Sequence, residues 1–270
     1  MNEKPIAVFK YGGNAMLNEQ LKTEIVQNLG RLKAQGLKIV VVHGGGPFIK
    51  RLLSTSKVKS EFYEGHRVTT PEALKYVEMA LKGEVNGDLV RLFNKYGNTA
   101  VGLSGKDGKI VLAEKRYHNS GGEKKDLGRV GDVKKVNPEL LHLLLDNDII
   151  PVLTCLASDA DGMDYNINAD MFAGHIAGAL KAQQFVVMTD VDGLMTDISK
   201  PESLLSRVDG NRIQELKTEG IIKGGMIPKI EACTTALSTG AKTARIINGT
   251  KPNEINKIIE NINFGTVIEK

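Results

Sequence analysis

Short apolar runs rich in β-branched residues alternate with stretches of helical spacing along the whole chain, and that alternation does most to restrict the fold. Ile6–Phe9 is followed by Leu21, Ile25, Leu29 and Leu32 at helical spacing, then by Leu37–Val42, then by a helical segment from Phe48 to Leu53. Runs without polar alternation suit strands covered on both faces, and the intervening helices supply the cover. The pattern therefore predicts an α/β fold with a mainly parallel sheet between helical layers.

Thr70-Pro71-Glu72 places a capping hydroxyl and a first-turn proline ahead of a long helix reaching about Tyr96. Strands are expected over Asn98–Leu103, Lys109–Glu114, Ile149–Thr154, Phe185–Thr189 and Ala244–Ile247. Helices are expected over Pro138–Asp146, Asn168–Lys181 and Ile227–Thr239, and a charged, glycine-rich hairpin or flap over Tyr117–Val136. With 270 residues, 41% of them hydrophobic, the chain can bury a full core as one large domain or two packed halves; a cut between halves falls near Asp170.

No window approaches the ~18 apolar residues of a membrane span, and the first residues lead into a strand rather than a signal peptide, so a cytoplasmic protein with no membrane association is expected. Cys155 and Cys233 sit in apolar or small-residue surroundings and read as buried reduced thiols. A net charge of +4 permits a nucleic-acid partner, but aromatics are 5% of the chain and tryptophan is absent. A stacking platform is thus poorly supplied. The basic pairs Lys124-Lys125 and Lys134-Lys135 read as solvated charges, and no nucleic-acid partner is expected.

Four clusters stand at predicted strand ends: Lys10-Tyr-Gly-Gly13, His43-Gly-Gly-Gly46, Leu103-Ser-Gly-Lys-Asp-Gly108 and Thr189-Asp-Val-Asp-Gly193. Loops at the carboxyl ends of parallel strands share one crevice, so all four are expected to converge. Glycines there let backbone approach an anion while amides of a following helix point at it. His43-Gly-Gly-Gly46 has this form, and also that of a ligand-free strand-to-helix turn; His43 itself reads as structural rather than catalytic. Neither G-x-x-x-x-G-K-[ST] nor G-x-G-x-x-G occurs, which disfavours a phosphate-loop enzyme or a Rossmann dehydrogenase.

Gly224-Gly225 precede a helix whose first turn carries Lys229, where a cation opposes the helix dipole unless an anion shares the site. A functional lysine and a surface lysine both fit. Asn168 caps the next helix upstream, with Asp170 favourable in its first turn. Arg67 suits bidentate capture of a carboxylate, or a structural ion pair.

In chain order, Lys10-x-Gly-Gly13, His43-Gly-Gly-Gly46, Gly65-x-Arg67-Val-Thr69, Gly102-Leu-Ser-Gly-Lys-Asp-Gly108, Asn166-x-Asn-Ala-Asp170, Thr189-Asp-Val-x-Gly193 and Gly224-Gly-Met-x-x-Lys229 resemble the amino acid kinase family, and within it the members acting on N-acetylglutamate. Each motif alone is weak. Their order over nearly the whole chain is specific.

The resemblance implies an open αβα sandwich in which residues 1–170 bind the acyl amino acid and carry a dimer contact, while residues 171–270 bind ATP. It implies that Lys10 and Lys229 contact the transferring phosphoryl group, that Asp170 holds both lysines, and that amides of Gly12, Gly13 and Gly45 meet phosphate oxygens. Gly45, Gly46, Arg67 and Asn166 would hold acetylglutamate. Asp190, Val191, Asp192, Gly193, Leu194, Met195, Ile221, Ile222 and Lys223 would surround the nucleotide. The implied reaction is phosphorylation of the γ-carboxylate of N-acetyl-L-glutamate in arginine biosynthesis, with Mg²⁺ held mainly by the ATP phosphates and no dedicated metal site on the protein.

Departures from the family pattern are Thr70 where aspartate is common, Phe48 and His175 where glutamates are common, and Lys223 where serine or threonine is common. Lys223 either adds charge near the nucleotide or points to solvent, the second reading being preferred. The short amino terminus has no room for the extra helix of arginine-inhibited members, so an arginine-insensitive homodimer is expected. Other acceptors remain open: aminoadipate on a carrier protein, aspartate, glutamate or a nucleoside monophosphate, with Glu64–Arg67 as the discriminating stretch. A catalytically silent sensor is a third reading; both lysines and Asp170 argue against it.

Overall fold

The computed structural model describes residues 4–59, 61–63, 66–120, 123–260 and 264–270. The amino-terminal part runs β1 (Ile6–Tyr11), α1 (Glu19–Ala34), β2 (Lys38–His43), α2 (Gly46–Thr55), a short hairpin of β3 (Glu61–Tyr63) and β4 (His66–Val68), and α3 (Pro71–Glu78). Thr70 caps α3 by accepting from the Ala73 amide. The helical run expected to about Tyr96 is continuous, but its middle, Met79–Asn86, winds as a π-helix before α4 (Gly87–Lys95) resumes.

Next come β5 (Ala100–Ser104), a long hairpin of β6 (Val111–Ser120) and β7 (Glu123–Val136), α5 (Glu139–Asp146), β8 (Ile150–Thr154), β9 (Leu156–Ser158) and β10 (Asp164–Ile167). The strand expected at Lys109–Glu114 begins at Val111 and runs on to Ser120, so the flap expected over Tyr117–Val136 holds the end of one arm and the whole of the other. The last part is α6 (Ala169–Ala179), β11 (Gln184–Thr189), β12 (Arg207–Val208), α7 (Gly210–Thr218), α8 (Met226–Thr239), β13 (Ala244–Asn248), α9 (Lys257–Glu260) and β14 (Thr266–Ile268).

The main sheet has eight strands in the order β12-β14-β13-β11-β1-β2-β8-β5, and only the β13–β14 pairing is antiparallel. β6, β7, β9 and β10 close into a small separate barrel. The fold is that of an αβα sandwich with a mostly parallel sheet, as the alternation predicts. Residues before 170 supply β5, β8, β2 and β1, and those after it supply the other four, so one ladder, β1–β11, joins the halves.

Strand pleating decides which face each residue serves. Val8, Val40, Val42, Phe185 and Val187 pack with α6 and α8, whereas Ala7, Phe9, Tyr11, Ile39 and Val41 pack with α1 and α4. Lys10 follows the pleat of Val8. Its side chain therefore leaves the strand on the α6–α8 side, while Tyr11 goes to the other. Both cysteines are free and buried, and the Lys124-Lys125 and Lys134-Lys135 pairs stand exposed on β7.

Candidate active site

α6 and α8 come unusually close because α6 is built of small residues: a Cβ on Gly174 would lie 2.5 Å from the Ala232 carbonyl oxygen of α8. That approach brings the first turns of the two helices together over the end of β1. Asn168 caps α6 by accepting from the Asp170 and Met171 amides, which turns Asp170 inward. The Asp170 carboxylate then stands between two lysines: Lys10 Nζ lies 2.8 Å from Oδ1 and Lys229 Nζ 3.4 Å from Oδ2.

Lys10 and Asp170 are each only 6% exposed. Lys10 reaches Oδ1 obliquely, so that oxygen takes a charge contact without a hydrogen bond. Burial pushes the Asp170 carboxyl up, but the two ammonium groups outweigh it and hold it below its ordinary value. Burial also holds the Lys229 ammonium below the ordinary lysine range, against the pull of Asp170. A buried anion thus serves two cations that lie close enough to share a further anionic guest.

Two cavities meet at this triad. The smaller, about 320 Å³, is lined by Lys10, Asp170, Gly12, Gly13, Gly45, Gly46 and Asn166. Gly46 opens α2, whose free amides face this space. The larger, about 800 Å³, is lined by Lys229, Asp190, Val191, Gly193, Leu194, Met195, Ile221 and Lys223. Gly13 has φ +81°, and a Cβ there would lie 2.5 Å from the Asp190 carboxylate. The turn after β1 and the loop after β11 are thereby in contact where the cavities join.

Some residues singled out from the sequence stand elsewhere. Asp192 does not line either cavity; its carboxylate accepts from Asn248 at 2.7 Å and pairs with Lys251 at 2.6 Å. Ile222 is a core residue, 4% exposed. Arg67 stacks on the Phe62 ring, 4.6 Å from its centroid, outside the lining of both cavities. Glu64 and Gly65, half of the proposed discriminating stretch, lie outside the described residues.

The expected convergence of four clusters is corrected to three. Lys106 pairs with Glu78 at 2.7 Å and Asp164 at 2.9 Å, and Asp107 pairs with Lys82 and accepts from the Ser104 amide at 2.6 Å. Strand order explains this: β5 is the edge strand, separated from β1 by β2 and β8, and its loop is spent on bracing α3 and β10. Sequence reasoning missed Leu81 and Ile49, which line the smaller cavity. Apolar residues in a helix or strand carry no local mark of a cavity wall.

Paired lysines across one carboxylate, between two pockets edged by backbone amides, are suited to hold a charged group in transit between two bound molecules. That is the arrangement of a phosphotransferase, and the chain belongs to the Amino acid kinase family, whose sequence pattern matches residues 5–248. Among its relatives, acetylglutamate kinase of Methanocaldococcus jannaschii is 46% identical over 98% of this chain and 90% of that protein. Acetylglutamate kinase of Archaeoglobus fulgidus is 41% identical over 97% and 92%. The crystal structure of smu.665 from Streptococcus mutans UA159 superposes with a TM-score of 0.80 at 28% identity, covering 98% of each chain. Carbamate kinase from Giardia lamblia bound to AMP-PNP superposes at 0.71 over the full length of both, and at 17% identity that likeness speaks for the fold.

Proposed function

We propose that this protein transfers the γ-phosphoryl group of ATP to the γ-carboxylate of N-acetyl-L-glutamate, giving N-acetyl-L-glutamyl 5-phosphate in arginine biosynthesis. The observation that carries the chemistry is the Lys10–Asp170–Lys229 triad standing where the two cavities meet. The acceptor is supported by the acetylglutamate kinases that share 41–46% of this sequence over nearly its whole length.

A carboxylate acceptor, with a pKa of about 4.3, is already ionised at neutral pH and needs no general base. The site has to align the nucleophile and offset the charge that spreads over the phosphoryl oxygens. The 320 Å³ cavity suits the small acyl amino acid, with Gly45, Gly46 and Asn166 at its wall; the 800 Å³ cavity suits ATP. Lys10 approaches the phosphoryl group from the acceptor side and Lys229 from the nucleotide side, with Gly12 and Gly13 amides between them. Asp170 keeps the ammonium groups in register before substrate arrives, and phosphate then shares their charge.

Among the described residues no three His, Cys, Asp or Glu side chains form a metal-holding group. Magnesium is assigned mainly to the nucleotide phosphates on the chemistry of the reaction, where it would neutralise charge. Arg67 is proposed as the anchor for an acceptor carboxylate. Asp192 and Ile222 are proposed to shape the nucleotide side from behind, through the loop and core contacts they make. The working protein is proposed to be a cytoplasmic homodimer joined through residues 1–170, which sedimentation of the purified protein tests directly.

The functional test is ADP formation from ATP·Mg with a panel of acceptors: N-acetyl-L-glutamate, aminoadipate, aspartate, glutamate, carbamate and UMP. Acetylglutamate is expected to give the highest kcat/KM. A higher value for any other acceptor discards the proposed substrate while leaving the family intact.

A further inference from the structure

The smaller cavity owes its shape to a turn whose own residues have almost no side chains, so something behind the turn must hold it. The π-helical stretch Met79–Asn86 lies there. A Cβ on Gly45 would fall 2.6 Å from Leu81 Cδ2 and 3.3 Å from Val85 Cγ2, so these two side chains press directly on the Gly45 backbone. The stretch ends at Asn86, 2% exposed, whose amide nitrogen lies 2.9 Å from His43 Nε2 and 2.9 Å from the Val152 carbonyl oxygen. His43 is wholly buried, and its Nδ1 lies 2.9 Å from the Gly44 carbonyl oxygen.

These contacts assign the protons. The Val152 oxygen can only accept, so the Asn86 atom facing it is the NH₂ group. That NH₂ also faces His43 Nε2, which must therefore be the acceptor. The ring proton then sits on Nδ1 and donates to Gly44. Burial keeps the ring neutral by pushing its pKa down to about 4. Gly102 of β5 makes the arrangement possible: a Cβ there would lie 1.9 Å from Asn86 Oδ1.

We infer that Asn86 and His43 form a positioning pair that sets the His43–Gly46 turn for the acceptor, Asn86 fixing the histidine tautomer and His43 fixing the Gly44 carbonyl. The role rests on the acetylglutamate reading above. π-helical turns inside α-helical runs are costly and recur at functional sites; here the extra residue per turn delivers Leu81, Val85 and Asn86 to one turn together.

The test separates the two ring nitrogens. An asparagine amide reproduces Nδ1 and a glutamine amide reproduces Nε2, so His43→Asn keeps the donor to Gly44 whereas His43→Gln keeps only the partner of Asn86. A lost buried hydrogen bond of this kind shifts binding by about tenfold. The KM for acetylglutamate is therefore expected to rise roughly tenfold in His43→Gln and Asn86→Leu, and no more than about threefold in His43→Asn. The KM for ATP should stay within about twofold in all three, because the nucleotide cavity does not touch this turn. A merely structural role would lower melting temperature and kcat and leave the acceptor KM alone; that result overturns the inference, as does an equal effect of His43→Asn and His43→Gln.

Nitrogen-15 spectra of the wild-type His43 ring separate this failure from failure of the functional reading. A ring protonated on Nδ1, lost in Asn86→Leu, supports the pair whatever the acceptor proves to be, and a ring protonated on Nε2 overturns it. Absence of any turnover with acetylglutamate in the wild type overturns the assigned acceptor and, with it, the acceptor-positioning role.

Discussion

The smaller cavity is walled by backbone braced from behind, whereas the larger is walled by loops tied at scattered points. Gly45 rests on Leu81 and Val85, and the Gly44 carbonyl on the His43–Asn86 pair, four side chains that are all buried. Around the larger cavity, Asp192 is tied to Asn248 and Lys251, the Leu194 amide donates to Thr266, and the Asp197 amide donates to Ser203, while Ile198 remains 72% exposed. The contrast extends to the lysines: Lys10 comes from the middle of the sheet, Lys229 from the first turn of a helix whose start no side chain caps. Under the proposed assignment the smaller cavity takes an acceptor with few atoms to grip, which a rigid wall suits. A nucleotide offers many contacts, and loops can be fitted around it.

Truncating the lysines should expose that contrast most strongly. Removing one donor to a developing anion slows turnover about 10²–10³-fold, so Lys10→Ala is expected near the upper figure and Lys229→Ala near the lower in steady-state kcat. A larger loss at Lys229 would break the comparison. Next comes Asp170→Asn, which leaves two buried cations facing each other. A loss of about 3 kcal/mol in urea unfolding is expected, against less than about 1 kcal/mol for Asp192→Asn at its partly exposed pair.

The acid limb follows from the same carboxyl. Its folded-state pKa is depressed, so its stabilisation is present above the unfolded value near 4 and is lost as pH falls through the folded value. Wild-type stability should therefore drop more steeply below pH 4 than that of Asp170→Asn. At the alkaline end, the lowered Lys229 pKa means the free enzyme loses that charge below the ordinary lysine range. The descending limb of kcat/KM for ATP should reflect this, and Lys229→Arg should push it to higher pH because arginine stays charged.

Smaller effects sharpen the picture. Gly13→Ala puts a side chain at φ +81° against Asp190; left-handed strain of about 1–2 kcal/mol predicts roughly a tenfold fall in kcat/KM for ATP. Lys223 lines the larger cavity but is exposed. Lys223→Ala should raise the KM for ATP no more than about threefold, as expected for a solvated charge.

Most of the architecture was legible because it rests on short-range patterns. Unbroken apolar runs marked β1, β2, β8, β11 and β13, and Thr70-Pro71 and Asn168 marked helix starts that the structure caps as expected. Short elements such as β3, β9, β12 and β14 span too few residues to show a period. The π-helical stretch was invisible for a different reason: Met79–Asn86 has ordinary helical composition, and only its packing against Gly45 and His43 sets it apart.

The sequence by itself determined the strand and helix order and the placing of glycine clusters at strand ends, because period, capping and turn chemistry act over a few residues. The tertiary structure decided which clusters meet. Putting β1 between β2 and β11 joined the first and second clusters with the fourth, and left the third, on edge strand β5, to brace α3 and β10. It also decided that Lys10 and Lys229, 219 positions apart in the sequence, share Asp170: pleating sends Lys10 to the α6–α8 face, and the small residues of α6 let α8 close on it.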